Sequence, residues 1–230
     1  MGAIYLVRHG QASFGKADYD KLSDKGCKQS EILGEAFGKI VSPDRFYSGN
    51  LLRHEQTANH FMSGFGGSSI ATVTHSGFNE FNHVEVLVKY RPEWKDFSVM
   101  AADIAKQPVP QKAFQQAFSD AVIRWVSGNH DDDYQETWRQ FQARCNSALQ
   151  SVIEQSSEAK NIVIFTSGGP ISVILQQILK LGDRETLSVN EVLVNTGVTK
   201  LLFSGDRLSL SYLNNHSHLE MAGSSWVTYR

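Results

Sequence analysis

The chain has 230 residues, enough for one α/β domain with an insertion or for two small domains. Hydrophobic residues make up 41% and charged residues 20%, which is ordinary for a globular protein. With 22 Lys and Arg against 24 Asp and Glu the net charge is −2, which points to neither nucleic acid nor an anionic membrane as partner but allows a small cationic pocket. Cys27 and Cys145 form no CxxC or zinc pattern and are expected as reduced thiols in a cytoplasmic protein. The opening MGAIYLVRHG lacks the basic and long apolar regions of a signal peptide. Leu6 stands where a myristoylation pattern wants Ser or Thr. No run reaches ~18 apolar residues, so no membrane span is expected.

Residues 3–7 (AIYLV) form a short apolar run of strand formers, as in a strand buried on both faces of a parallel sheet. Ser23 is a helix cap, and the helix after it is expected to run to about Val41. Its apolar face would be Ile32, Leu33, Ala36, Phe37 and Ile40, with Pro43 as the stop. A second strand is predicted over 45–48 (RFYS) and a helix over about 50–62, with Arg53, Gln56, Thr57 and His60 on one face. Residues 64–69 (GFGGSS) read as a turn, because no dinucleotide-binding context surrounds the glycines. Residues 85–135 read as irregular, with Pro92, Pro108 and Pro110, around one helix from Phe114 to Val126. A helix over about 134–156 follows the solvated acidic run Asp131–Asp133. Then come the buried strand IVIFT (162–166) and a helix to about Leu181 with Pro170 in its first turn. A hairpin over 198–203 and 208–213, around Ser204 to Arg207, is the last element predicted.

This order argues for a three-layer α/β/α sandwich with a mainly parallel sheet, one domain over 1–230 carrying a helical insertion or lid over about 84–135. Ligand sites in such sheets lie beyond the carboxyl ends of the strands. Three polar clusters fall there: Arg8-His9-Gly10, the turn from Ser48 to Arg53, and Thr166-Ser167-Gly168-Gly169. Arg8 and Arg53 are forks suited to bidentate phosphate binding. Gly168 and Gly169 at a helix start offer backbone N–H groups to an anion. A histidine held at a strand end can attack phosphorus with its free nitrogen. No metal need be invoked, because the arginines can carry the charge stabilisation.

LVRHGQ (6–11) resembles the Arg-His-Gly signature of the histidine phosphatase superfamily, the phosphoglycerate mutase-like proteins. LSDKGCKQS (22–30) and YSGNLLRHEQTA (47–58) are similar to two further segments of that family, in the same order. The resemblance implies a phosphomonoesterase that works without metal or cofactor through a phosphohistidine. It makes His9 the nucleophile and lets Arg8 and Arg53 grip the phosphoryl oxygens. A carboxylic acid within GFNEFNHVEVL (77–87) would protonate the leaving alcohol, Glu80 first and Glu85 in reserve. The substrate would be a phosphorylated small molecule or a phosphoprotein. The glycerate-mutase pattern wants an Asn near Gly15, and none is there.

One position departs from the family. Its second signature reads Ser-His-Gly-Gly after a buried strand, and here Ser167 occupies the place of that His. Loss of one preorganised donor costs on the order of 3 kcal/mol, roughly a hundredfold in rate. Three readings stay open: Ser167 and the Gly168 N–H suffice, another histidine fills the space, or the protein binds phosphate without turnover. His54, His83, His216 and His218 are the candidates for the second. Next to Arg53, His54 points to a different helix face and is expected at the surface. A solvated place is the bland expectation for His216 and His218. The aromatic positions of 114–138 are read as packing, not as a cofactor box.

Overall fold

A computed structural model describes residues 1–13, 20–156, 158–205 and 207–229. It divides into two compact units, Met1–Glu80 with Cys145–Arg230, and Phe81–Arg144. Gly15, near which the mutase pattern wants an Asn, and the hairpin residue Asp206 lie outside the described residues.

The first unit is built on a six-stranded sheet in the order β3-β2-β4-β1-β5-β6. The strands are β1 Gly2–Arg8, β2 Arg45–Ser48, β3 Thr72–Thr74, β4 Asn161–Thr166, β5 Val198–Ser204 and β6 Arg207–Asn215. The first four in spatial order run parallel, and β5 is antiparallel to both neighbours. Alternation along the central strands explains the layers. Ile4, Leu6, Ile162 and Ile164 point into one core, with Ile171 and Ile174. Ala3, Tyr5, Val7, Val163 and Phe165 point into the other, with Leu33, Phe37, Ala58 and Phe61. Both faces are covered, which is why these strands read as unbroken apolar runs. The outer strand β6 alternates exposed and half-buried residues along its whole length.

Helices α1 Asp24–Gly38 and α2 Leu52–Phe65 cover the second face. The Ser23 hydroxyl caps α1 by accepting from Gly26 N–H at 3.1 Å. Leu33 and Phe37 of the expected apolar face of α1 are buried, and its end is corrected. The helix ends at Gly38, and Ile40 lies beyond it, 78% exposed. Its buried stripe is Gly26, Gln29, Ser30, Leu33, Gly34 and Phe37. Small residues serve there because the two helices nearly touch: a Cβ on Gly34 would lie 2.0 Å from the Phe61 carbonyl oxygen, and one on Gly64 2.0 Å from that of Glu31. Gly64, inside α2, is thus a helix contact, and Gly66 is the left-handed C-cap, with φ 91°.

Three short elements of this unit had no sequence signal: β3, α8 Asp183–Val192 and α9 Ser217–Ala222. The first has three residues, the last has six, and α8 buries only Thr186, so none carries an apolar period. The helix after β4, α7 Gly168–Leu179, starts at the glycines and stops one residue before a left-handed Lys180.

The second unit holds more helix than its prolines suggested: α3 His83–Tyr90, α4 Phe97–Ala105 and α5 Pro110–Val126. Pro110 sits in the first turn of α5, where a missing N–H costs nothing. Helix α6 Trp138–Gln155 then carries the chain back to the first unit. The aromatics pack together: the Trp125 ring lies 4.7 Å from Phe81, 5.3 Å from Trp138 and 5.7 Å from Phe141, centroid to centroid. The Trp125 indole N–H donates to Glu136 O at 2.8 Å. Asp131–Asp133 is a 3-10 turn, with Asp133 paired to Arg124. No described helix is long and apolar enough to cross a membrane. Among the described residues, Cys27 and Cys145 form no disulfide.

Candidate active site

The carboxyl ends of β1, β2 and β4 bring the polar clusters together. Arg8 and Thr166 are register partners at the ends of β1 and β4, and His9 N–H donates to Thr166 O at 2.8 Å. His9 is 9% exposed. Its Nδ1 lies 2.7 Å from Gly10 O. A carbonyl only accepts, so Nδ1 carries the proton and Nε2 holds the lone pair. Burial holds the ring well below its ordinary pKa, the Arg53 and Arg8 charges add to this, and the bond to Gly10 opposes it. His9 is therefore a neutral imidazole of one tautomer.

The backbone around it is tied from several sides. Asn195 Nδ2 donates to His9 O at 3.1 Å, and Thr196 N–H donates to Arg8 O at 3.0 Å. Thr196 adopts φ 58°, a strained conformation for a branched residue. Gly10 N–H donates to Thr57 Oγ1 at 3.0 Å, and that hydroxyl donates to Arg53 O at 2.6 Å. A Cβ on Gly10 would meet Gly26 O at 2.4 Å, so only glycine lets the chain pass α1 here.

Arg8 donates from Nη1 to Leu193 O. Arg53 is buried, 6% exposed, and its Nη1 donates to the Asp20 carboxylate at 2.5 Å. The other Asp20 oxygen accepts from Leu52 N–H at 2.8 Å, in the first turn of α2. An anion thus already sits on this guanidinium and this helix start. Asp20 was missed by sequence reasoning; its pairing spans 33 positions.

Glu80 follows the short turn Ser76–Phe78, and its Oε2 accepts from Gly169 N–H at 3.0 Å, at the start of α7. The reserve residue, Glu85, belongs to the second unit, where its carboxylate accepts from Gln135 N–H at 2.9 Å. Gly168 leaves no room for a side chain: a Cβ would lie 2.2 Å from Asn190 Oδ1.

His54 is the principal correction. It is fully buried, not at the surface, and its Nε2 lies 2.6 Å from Ser167 Oγ. Its ring centroid is 5.9 Å from that of His9. Adjacent residues Arg53 and His54 both face inward because this first turn of α2 is enclosed, as the burial of both shows. Burial, then the Arg53 charge, holds the His54 ring well below its ordinary pKa. His218 is also buried rather than solvated. Its Nε2 lies 3.0 Å from Oγ1 of Thr196, whose N–H donates to Arg8 O. Burial lowers its pKa to about 4. His216 is half-buried, with Nδ1 2.7 Å from Asn214 O. His83 belongs to the second unit.

Among the described residues no three His, Cys, Asp or Glu side chains gather as a metal would require.

The family model of the histidine phosphatase superfamily (branch 1) matches residues 4–97 and 107–216. A Hydrogenobacter thermophilus protein named "Putative phosphoserine phosphatase 2" is 25% identical over 229 residues, covering 95% of this chain and 98% of that one. The phosphoglycerate mutase of Bacillus anthracis superposes with a TM-score of 0.66 at 16% identity, covering 94% of each chain. A phosphoserine phosphatase variant of Entamoeba histolytica, in complex with phosphoserine, has a TM-score of 0.64 at 18% identity, covering 95% of this chain and 100% of that one. The two structural likenesses speak for the fold, and the family model covers most of the chain: this protein belongs to the histidine phosphatase superfamily, branch 1.

Proposed function

We propose that the protein is a phosphomonoesterase that transfers the phosphoryl group of a phosphorylated small molecule to His9 and then to water. The observation that carries this reading is the 2.7 Å bond from His9 Nδ1–H to Gly10 O, which leaves Nε2 as a neutral nucleophile beside two arginines. In the first step Nε2 attacks phosphorus, the P–O bond breaks, and the Glu80 carboxyl gives its proton to the leaving oxygen. In the second, water attacks phosphohistidine and passes a proton to the Glu80 carboxylate. The P–N bond then breaks, and Nε2 regains its lone pair. Arg8 and Arg53 offset the charge on the phosphoryl oxygens, so the scheme needs no metal. The names of the relatives, which mention phosphoserine and phosphoglycerate, favour a small phosphorylated acid as substrate.

The test is phosphate release from an aryl phosphomonoester, wild type beside His9→Ala, with acid-stable and acid-labile phosphoprotein measured in quenched samples. Turnover lost in His9→Ala, with an acid-labile phosphoryl group trapped in wild type, supports the reading. Phosphate binding that survives His9→Ala with no turnover in wild type would leave a non-catalytic binder. Interconversion of phosphoglycerates would make it a mutase.

A further inference from the structure

A chain that uses Ser167 in a phosphate pocket gives up an imidazole at that position, yet a second imidazole is still present. His54 reaches in from α2, fully buried, and meets the Ser167 hydroxyl at 2.6 Å. Room is made for it at the end of β2: a Cβ on Gly49 would lie 2.2 Å from His54 Nδ1 and 2.9 Å from Cε1. Ser167 is the N-cap residue of α7, a position where a serine hydroxyl ordinarily accepts from the helix N–H groups, but its side chain makes no capping bond. The hydroxyl is turned to His54 instead.

The tautomer of His54 follows from its other nitrogen. Among the described residues, Nδ1 is buried with no hydrogen-bond partner. Were Nδ1 protonated, a buried N–H would lack an acceptor, which is rarer and costlier than an unmet lone pair. The proton therefore sits on Nε2 and is donated to Ser167 Oγ, so the serine's own O–H is free to be donated elsewhere. A leucine or phenylalanine would fill the same volume without an unmet buried nitrogen. The ring is thus difficult to explain as packing alone.

We propose, resting on the phosphatase reading above, that His54 and Ser167 act as one unit that replaces a histidine at position 167. Ser167 donates its hydroxyl proton to a phosphoryl oxygen. His54 is the positioning residue that fixes and polarises that hydroxyl. No atom changes partner in this arrangement, since it is a chain of two hydrogen bonds, from His54 to Ser167 and from Ser167 to the phosphoryl group.

The experiment measures kcat and KM on an aryl phosphomonoester, and orthovanadate affinity, for His54→Ala, His54→Gln, Ser167→Ala, Ser167→His and two double variants. Thermal unfolding of each controls for folding. The expected result is a loss of roughly a hundredfold in kcat, larger than any change in KM, for His54→Ala and for Ser167→Ala. The His54→Ala/Ser167→Ala variant loses no more than either single, as residues acting as a unit do. His54→Gln, which keeps an N–H donor, stays within about tenfold of wild type. Ser167→His alone gains nothing, because its ring would need the space His54 fills. The exchange variant His54→Ala/Ser167→His recovers tenfold or more over His54→Ala. Full kcat in a folded His54→Ala protein, or losses that simply add, would overturn the proposal. If wild type turns over no monoester, the phosphatase reading falls by itself. The vanadate arm then still decides: tight binding weakened equally by His54→Ala, Ser167→Ala and both together upholds the pair, and binding indifferent to them removes it.

Discussion

Asp20 holds Arg53: a carboxylate oxygen lies 2.5 Å from the buried guanidinium, and the second oxygen accepts the first N–H of α2. These are the two features a phosphoryl group would use at this side of the site. A dianion approaching Arg53 meets a like charge that shares its partner. Asp20→Asn keeps the shape and removes the charge. It is expected to tighten competitive inhibition by inorganic phosphate, and to lower KM, by roughly three- to tenfold. Inhibition constants for the two proteins at low and moderate salt check this, and an unchanged constant would mean that the carboxylate does not compete.

Glu80 is placed at the first turn of α7 by its bond from Gly169 N–H. Glu80→Gln preserves an acceptor for that bond and abolishes the proton. An alkyl monoester, whose leaving oxygen needs protonation, is expected to lose about 10²- to 10⁴-fold in kcat/KM. A nitrophenyl ester, whose leaving group departs as an anion, should lose far less in the first step. Glu85→Gln, bonded instead to the Gln135 N–H of the second unit, should leave both substrates nearly unchanged. Equal losses on both esters for Glu80→Gln would remove it as the acid.

Gly26 and Gly10 interlock. A Cβ on Gly26 would lie 2.1 Å from Gln11 O, and the atoms in the way are backbone. Gly26→Ala is expected to cost about 1–3 kcal/mol in denaturant unfolding, as overpacking does. It should also lower kcat, because Gln11 is two residues from His9. A variant with full stability and activity would contradict the close approach.

Three buried histidines make stability depend on pH with a definite sign. His9, His54 and His218 are neutral in the folded protein, each pKa being held below 6.5 by burial first. The unfolded chain protonates them near pH 6.5, so below that value it binds more protons than the folded one. Stability is then complete above about pH 6.5 and falls as the pH drops toward each folded pKa. For His218 the window runs from 6.5 down to about 4, and across it the loss is on the order of 3 kcal/mol. Denaturant unfolding between pH 7 and 4.5 should show the decline, and His218→Gln should make it shallower.

The sheet was legible because burial on both faces writes itself into the strands. AIYLV and IVIFT could hardly be anything but central, and the structure sets Arg8 opposite Thr166 in their register. The helices of the inserted unit were less legible. Proline counts there suggested irregular chain, yet Pro110 simply starts α5. In α1, Leu33 and Phe37 pack as expected, but Ile40 lies beyond the helix, and the closest approach to α2 is made by glycines, which carry no hydrophobic signal.

The same division holds at the site. Arg8, His9 and Gly10 could be placed at the end of a buried strand from the sequence alone, while their roles were what the resemblance of several segments together implied. The substitution at Ser167 could also be read, but not its consequence. Local periodicity says which side of a helix is apolar. It does not say how much of the helix surface is enclosed, and in the first turn of α2 both Arg53 and His54 are enclosed. His54 meets Ser167 across 113 positions of chain, and Asp20 meets Arg53 across 33. Such pairs are set by how α2 lies against the strand ends and by the absence of a side chain on Gly49, and only the tertiary structure contains that geometry.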